Sequence, residues 1–236
     1  MRRRCQEKEY NFLVKISYNN YSDYICVMQS SPDIDDRESN DADSDLESDA
    51  ALWQGFYQGD ADSFEALATH FYPVLLRYGV RLVRDKDFAH DCLQDFFIDL
   101  WGRRARLENI RSVRTYLLLS YRRRLFREMQ SNGWYKFASE LDENLEFDGQ
   151  FSIEIQLIES ETKDENLKKL HHHLSLLTKR QREAIYLRFN QELNYDEIAA
   201  IMSINHQSAV NLVYEALKFL RKAWFQALLV SFFTLL

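Results

Sequence analysis

The stretch YDEIAAIMSINHQSAVNLVYEALKFLRK, residues 195–222, decides the fold of the C-terminal part of the chain. A short helical pattern stops at residues 203–205, and a longer one begins directly after it. Asn194 and Glu197 have the spacing of a capping box at the start of the first helix, and Asn205 is a good N-cap for the second. Two capped helices joined by a three-residue turn predict a helix-turn-helix.

The second helix opens with small polar side chains and closes with cations. Its exposed first turns hold His206, Gln207, Ser208 and Asn211, and its far end holds Lys218, Arg221 and Lys222. In a helix-turn-helix that reads DNA, such polar residues face base edges in the major groove, where Gln and Asn can pair with adenine. The cations suit phosphates. An ordinary capped helical hairpin has the same pattern, so this segment alone leaves both interpretations open.

The predicted core of this hairpin is apolar on both helices. The inward residues are Ile198, Ala199 and Met202 on the first helix and Val210, Val213, Leu217 and Leu220 on the second, flanked by Ala209 and Ala216. Ser203 lies in the turn, where a serine is strained if the backbone needs a positive φ.

The composition favours helices, and its charge is strongly segregated. The 236-residue chain has only six Gly and two Pro, 46% hydrophobic residues and a net charge of −7. Nine acids and one base occupy residues 33–49, whereas nine arginines and one acid occupy residues 101–127. The acidic average therefore hides a strongly positive local field in the second segment, which keeps nucleic-acid binding open.

Shifts in composition along the chain predict an all-α protein with two small helical domains. We expect a disordered acidic N-terminal extension over 1–50, a first domain over 51–129, a flexible acidic linker over 130–165, a second domain with the helix-turn-helix over 166–224, and an apolar tail over 225–236 that extends the last helix. In the last helix of the first domain, Arg122, Arg123 and Arg127 fall opposite the apolar stripe. Arg114 falls within the apolar arc, so it must lie near the helix start or snorkel.

Two blocks of the sequence, about residues 52–127 and 170–224, carry spaced motifs. Those of the first block are Gly59-Asp60, Phe64-Glu65, Leu75 to Tyr78, Asp91, Gln94-Asp95, Phe97 and Trp101. Together the blocks resemble a bacterial RNA polymerase sigma factor of the extracytoplasmic-function group of the sigma-70 family. The second block departs from the family pattern at Val210 and Glu215, where relatives often carry bases, and at Ser203, which replaces a frequent turn glycine.

The resemblance implies three binding surfaces. Core polymerase would dock on Asp91, Gln94, Asp95 and Ile98, which share one helix face. Asn109, Arg111, Arg114, Tyr116, Arg122, Arg123 and Arg127 would bind and melt the minus-ten element, and the loop 108–112 would lie near its flipped base. The minus-thirty-five element would be bound by His206, Gln207, Ser208, Asn211, Lys218, Arg221 and Lys222. The implied partners are core RNA polymerase and promoter DNA, with an anti-sigma factor left open.

No catalytic grouping, cofactor site or metal site is predicted, so we expect a binding protein rather than an enzyme. Residues 171–173 are three consecutive histidines, which fan around a helix and cannot all face one ion. The three cysteines lack disulfide or metal spacing, which fits a reducing cytoplasm. The resemblance implies that this is the bacterial cytoplasm, in association with the nucleoid. The apolar C-terminal residues are fewer than the about 20 needed for a stable membrane span. A stand-alone helix-turn-helix regulator, with an N-terminal domain that binds a ligand or partner, is the alternative function.

Overall fold

The computed structural model describes residues 41–107, 110–131 and 172–234. Within them every regular element is helical: α1 (Asp41–Gln58), α2 (Ala61–Val83), α3 (Lys86–Arg103), a short 3-10 turn (Arg104–Arg106), α4 (Val113–Ser131), α5 (Lys179–Phe189), α6 (Tyr195–Met202) and α7 (His206–Thr234). The chain divides into two compact units, one carried mainly by α1–α4 and the other by α5–α7. The prediction of an all-α protein with two helical domains is confirmed. Most of the predicted linker lies outside the described residues.

Helix α1 begins earlier than the sequence indicated. Residues 41–50, expected to be disordered, form its first part, so that expectation is wrong for this segment; residues 1–40 lie outside the described part of the chain. Asp49 is only 5% exposed, and its Oδ1 lies 3.5 Å from His70 Nε2. Trp53 is also buried on this helix. Composition could not reveal this, because buried residues further along the helix anchor its acidic start, and acids suit the N-terminal end of a helix.

A tight corner joins α1 to α2. Gly59 has a φ of +88°, a left-handed conformation that glycine adopts readily. The Asp60 carboxylate accepts hydrogen bonds from the hydroxyl and the backbone N–H of Ser63, and these bonds lower the pKa of Asp60. A Cβ at Gly55 would collide with the Ser63 hydroxyl. The Gly-Asp motif is therefore explained by the geometry of this corner.

Aromatic rings fill the core of the first unit. Phe64 stacks on Phe56 with ring centroids 5.3 Å apart, and its centroid lies 4.9 Å from that of Trp101. Tyr121 is fully buried, and its hydroxyl donates a hydrogen bond of 2.7 Å to the carbonyl of Ala89. Burial raises the pKa of Tyr121 well above its ordinary value. These contacts hold α1, α2, α3 and α4 together and fix which faces of α3 and α4 are left outside.

Side-chain caps define the helices of the second unit. Thr178 begins α5 with a capping box. The capping box predicted from Asn194 and Glu197 is present at the start of α6 and is confirmed. Asn205 Oδ1 accepts a hydrogen bond of 2.7 Å from the N–H of Ser208, which confirms the predicted N-cap of α7. The helix-turn-helix therefore has the boundaries that the sequence indicated.

The turn between α6 and α7 has a left-handed residue at its centre. Ser203 has φ +54° and ψ +45°, and its N–H bonds back to carbonyls of the last turn of α6. The condition stated for strain at this serine is therefore met. Ile198, Ala199 and Met202 are buried as predicted.

Helix α7 packs on α5 and α6 along a narrower face than predicted. The buried residues are Ala209, Val213 and Ala216, whereas Leu217 is 39% exposed and Val210 and Leu220 are half-buried. The prediction that all of the larger residues are buried is therefore wrong. Two alanines allow the helices to approach closely, and a close approach covers a narrow stripe, so bulkier side chains at its edge stay partly in solvent.

The last helix continues through Thr234, so the predicted extension into the apolar tail is confirmed as far as that residue. Among the described residues, no helix is both long enough and apolar enough to cross a membrane.

Candidate nucleic-acid and protein interfaces

The outer side of α3 carries the four residues predicted to dock on a protein partner. Asp91, Asp95 and Ile98 are exposed, and Gln94 is half-buried with its amide 3.1 Å from a ring nitrogen of His90. Residues of the same helix that point inward, Ala89, Cys92, Leu93, Phe96, Phe97 and Leu100, are buried. We call Asp91, Gln94, Asp95 and Ile98 the α3 face. The structure brings these four residues together on one side, and their role in docking stays a prediction.

A largely covered arginine ties the α3 face to α4, and the sequence did not reveal it. Arg124 has a side chain that is only 11% exposed, and its Nη2 lies 3.2 Å from Asp95 Oδ2. Its Nη1 bonds to Asp99, and Glu128 lies 3.8 Å away on its own helix. We call Arg124, Asp95, Asp99 and Glu128 the Arg124 cluster. No sequence signal could have found it, because 25 or more residues separate Arg124 from the two aspartates that it bonds.

The arginines of α4 and of the loop before it are not equivalent. Arg111, Arg123 and Arg127 are exposed, whereas Arg114 and Tyr116 are half-buried. The half-burial of Arg114 in the first turn of α4 fits the prediction that it lies at the helix start. Tyr116 packs edge-on against Trp53, with ring centroids 5.4 Å apart. Asn109 lies outside the described residues.

Arg122 differs from the prediction that it faces solvent with Arg123 and Arg127. It is only 5% exposed, and its guanidinium carbon lies 4.3 Å from the centre of the Phe126 ring. The reason is its angular position: Arg122 directly follows buried Tyr121 and lies three residues before buried Leu125, so it falls at the edge of the apolar arc. The cation keeps its charge over an aromatic face while its stem is covered.

A cleft of about 450 Å³ opens between α1 and the start of α4. Trp53 and Tyr57 contribute aromatic surface to it, and Arg111 and Arg114 contribute cations. Leu107 and Ile110, which flank the two residues of this loop that lie outside the described chain, also line it. Asp49, which is buried, lines the cleft as well, so the cleft combines aromatic surface with two cations and one acid. Aromatic surface beside cations is what a site for an unpaired base and its phosphate requires.

The first turns of α7 present the polar residues predicted to read DNA. His206, Gln207 and Asn211 are exposed and Ser208 is half-buried. The Nε2 of Gln207 donates a hydrogen bond of 3.0 Å to Asn211 Oδ1. At the other end of the helix, Lys218, Arg221 and Lys222 are all exposed.

Two side-chain contacts with acids modify this surface. His206 Nδ1 lies 2.7 Å from Asp196 Oδ1, so this histidine is tied to the first turn of α6. Lys218 lies 3.6 Å from Glu215 one turn earlier, which reduces the net positive charge near the end of the helix. The sequence departure at Glu215 is therefore visible as a local contact.

Two models of the sigma-70 family match the chain. The model described as sigma-70 region 2 matches residues 67–135, and the model described as sigma-70 region 4 matches residues 167–220. The first match falls on the unit with the α3 face and the arginines, and the second falls on the unit with the helix-turn-helix. Only residues 136–166 separate them, so the order and spacing agree with the resemblance seen in the sequence.

Several solved structures are similar to the chain at low identity. CnrH, in complex with the cytosolic domain of CnrY, is 18% identical with a TM-score of 0.48, and the match covers 76% of this chain and 98% of that one. The sigma factor RpoE, in complex with the anti-sigma factor NepR from Bartonella quintana, is 21% identical with a TM-score of 0.47, and the match covers 70% and 98%. No curated protein gives a significant match.

The family assignment rests on the two region models, because they cover different units, stand in the expected order and together span more than half of the chain. No comparison supports the alternative of a stand-alone regulator. The chain therefore belongs to the sigma-70 family and is an RNA polymerase sigma factor that binds core polymerase and directs promoter-specific initiation of transcription.

Proposed function

We propose that this sigma factor divides its work among three surfaces. The α3 face docks on core polymerase, the exposed arginines of α4 and the adjoining cleft bind and open the minus-ten element, and the first turns of α7 read the minus-thirty-five element. The observation that carries the proposal is that each surface lies on the outer side of a helix whose inner side is buried. The chain supplies binding and sequence choice, and bond formation is left to the core enzyme.

The α3 face suits a protein partner that offers basic side chains and an apolar contact. Asp91 has a side chain that is 82% exposed and presents carboxylate oxygens to an incoming Arg or Lys. Ile98 is 43% exposed and adds apolar area to the same side. Asp95 is already bonded by Arg124, so we assign the new contacts first to Asp91 and Ile98.

The docking assignment is tested by charge reversal at Asp91. The variant Asp91→Lys is expected to weaken core binding at least about tenfold, the effect of removing a charge-assisted hydrogen bond and adding a repulsion. Glu65→Lys is the matched control, because Glu65 is an exposed acid on α2 of the same unit. Equal core affinity of both variants in a pull-down titration would remove the α3 face from the proposal.

The minus-ten assignment rests on the cleft and on the exposed cations beside it. Strand opening needs a surface that holds an unpaired base by stacking and its phosphate by charge. Half-buried Tyr57 supplies ring surface in the cleft, next to the buried ring of Trp53, and Arg111 lines the same cleft. Arg123 and Arg127 extend the positive surface along α4. Asn109 remains in the proposal, since Leu107 and Ile110, which flank residues 108–109, line the cleft.

The minus-thirty-five assignment rests on the exposed polar turns of α7. Gln207 and Asn211 can reach base edges, while His206 and Ser208 lie beside them in the first turn. Lys218, Arg221 and Lys222 would approach phosphates, where they contribute affinity but no sequence preference.

An anti-sigma factor is kept among the proposed partners. The second unit exposes large apolar side chains on α7, with Tyr214 60% and Phe219 39% exposed, and such surface favours a protein partner. Acting on promoters, the protein would work in the bacterial cytoplasm and associate with the nucleoid. Pull-downs from the native host with and without Tyr214→Lys test this part, and unchanged recovery of partners would exclude Tyr214 from the contact.

A further inference from the structure

The hydrogen bond between Gln207 and Asn211 makes these side chains a single unit rather than two independent groups. The two residues are four apart on α7, so their side chains lie one above the other on the same face. The bond from Gln207 Nε2 to Asn211 Oδ1 measures 3.0 Å, and both side chains are exposed to solvent. The neighbouring His206 is drawn towards α6 by Asp196, so this pair forms the outer surface of the reading turn.

The pair retains a donor and an acceptor after its internal bond is made. A carboxamide has two N–H donors and an oxygen with two lone pairs, so one internal bond leaves both kinds of group on each amide. Rotating both amides by 180° reverses the direction of the bond and leaves the same balance. In the major groove, adenine is the base that offers a donor and an acceptor side by side, at N6 and N7, whereas guanine offers two acceptors.

We propose that Gln207 and Asn211 act together as one reader of a single adenine in the minus-thirty-five element. One amide contacts the base through both of its groups, and the other holds that amide in the orientation required. The internal bond limits the rotation of both side chains before DNA arrives, so less conformational freedom is lost on binding. This inference rests on the proposed role of α7 in reading the minus-thirty-five element. It adds that the base is adenine and that Gln207 and Asn211 read it together.

Cooperation has a consequence that independent readers lack. If either amide is removed, the other loses the hydrogen bond that orients it. Each single substitution should therefore abolish most of the preference for adenine. The double substitution should then add little, because the pair fails as a unit. Two independent readers would instead lose preference at two different positions, and their effects would multiply.

The experiment is transcription by holoenzyme, reconstituted from core polymerase and the full chain, on a promoter library randomised over the minus-thirty-five element. Wild type is compared with Gln207→Ala, Asn211→Ala and the double variant. Lys218→Ala is the matched control from the same helix, because a phosphate contact should lower output evenly across sequences. Thermal unfolding checks that these exposed substitutions leave the fold intact.

We expect wild type to prefer adenine at one position by about tenfold or more. Each single variant should flatten that position, and the double variant should match either single variant within about twofold. Relaxation at two separate positions, multiplicative loss, or preference for another base at the shared position would overturn the proposal while leaving α7 as the reader. If the variants change no position of this element, the assignment of α7 to the minus-thirty-five element fails as well.

Discussion

Ser203 holds a backbone conformation that glycine adopts at lower cost. Its φ of +54° places the Cβ against the following carbonyl. Replacement by glycine removes this strain but adds freedom to the unfolded chain, so Ser203→Gly is expected to stabilise the second unit by about 0.5–1 kcal/mol. Ser203→Val should destabilise it, because β-branched residues tolerate positive φ worst. Denaturant unfolding monitored by amide exchange in α6 measures the stability of both variants. A glycine variant less stable than wild type would contradict the claim that the backbone of Ser203 is strained.

The thiol of Cys92 is a second residue whose behaviour follows from burial. It lies inside the first unit, and burial, followed by the charge of Glu128, raises its pKa from 9.0 to about 11. At pH 8 its thiolate fraction is about a hundredfold smaller than that of an unfolded thiol. In a chain carrying Cys5→Ser and Cys26→Ser, labelling by a thiol reagent should be correspondingly slow and should become fast in denaturant.

The same shift makes the contribution of Cys92 to stability depend on pH. Well below pH 9 the thiol is protonated in both the folded and the unfolded state, so its contribution is fully present. As the pH rises from 9 towards 11, the unfolded thiol ionises first, and stability is lost. For the labelling experiment on Cys92, equal rates with and without denaturant would contradict the prediction, because they would show that the thiol is accessible in the folded chain.

At the scale of helices, the Arg124 cluster connects α3 to α4. Removing a nearly buried arginine leaves Asp95 and Asp99 without their cation, although both acids are half in solvent and are partly screened. Arg124→Ala is therefore expected to lower the free energy of unfolding of the first unit by about 1–3 kcal/mol. Exposed Arg123 next to it is the control, and Arg123→Ala should change stability by less than about 0.5 kcal/mol. Similar losses of stability in Arg124→Ala and Arg123→Ala would show that the Arg124 cluster does not stabilise the contact between α3 and α4.

Promoter opening is the role that we propose for the exposed arginines of α4. Reversing the exposed charges with Arg123→Glu and Arg127→Glu should reduce open-complex formation at least about tenfold, because two cations that hold melted DNA become repulsive. Core binding should survive. Arg122 is left unchanged, since a glutamate at this buried position would disturb the fold and obscure the result. Permanganate reactivity of the melted thymines measures opening. If the variant gave the same reactivity as wild type, Arg123 and Arg127 would have no role in strand opening.

Contacts between residues close in sequence could be predicted, whereas contacts between distant residues could not. Caps at Asn194 and Asn205 were predicted because both partners of each bond lie within three residues. Arg124 was missed because its partners are distant in sequence, and Arg122 was misplaced because a helical wheel has no sharp edge between buried and exposed arcs. The start of α1 was missed because tertiary packing overrode its acidic composition. Local signals therefore gave the candidate surfaces, while packing decided which arginines are available.

At the scale of the whole molecule, DNA affinity should depend on the polymerase. The chain carries a net charge of −7, and at α7 one lysine is paired with Glu215, so α7 offers few cations to neutralise phosphates. The isolated chain is expected to show no specific complex with promoter DNA at physiological salt, whereas holoenzyme should bind the same fragment tightly. Fluorescence anisotropy at several salt concentrations compares the two, with core polymerase alone as the control. Phosphate contacts make DNA affinity fall as the salt concentration rises. We therefore expect the affinity of holoenzyme to fall steeply with salt, whereas the free chain should bind weakly at every salt concentration. Tight sequence-specific binding by the free chain would instead mean that α7 suffices as an autonomous DNA reader.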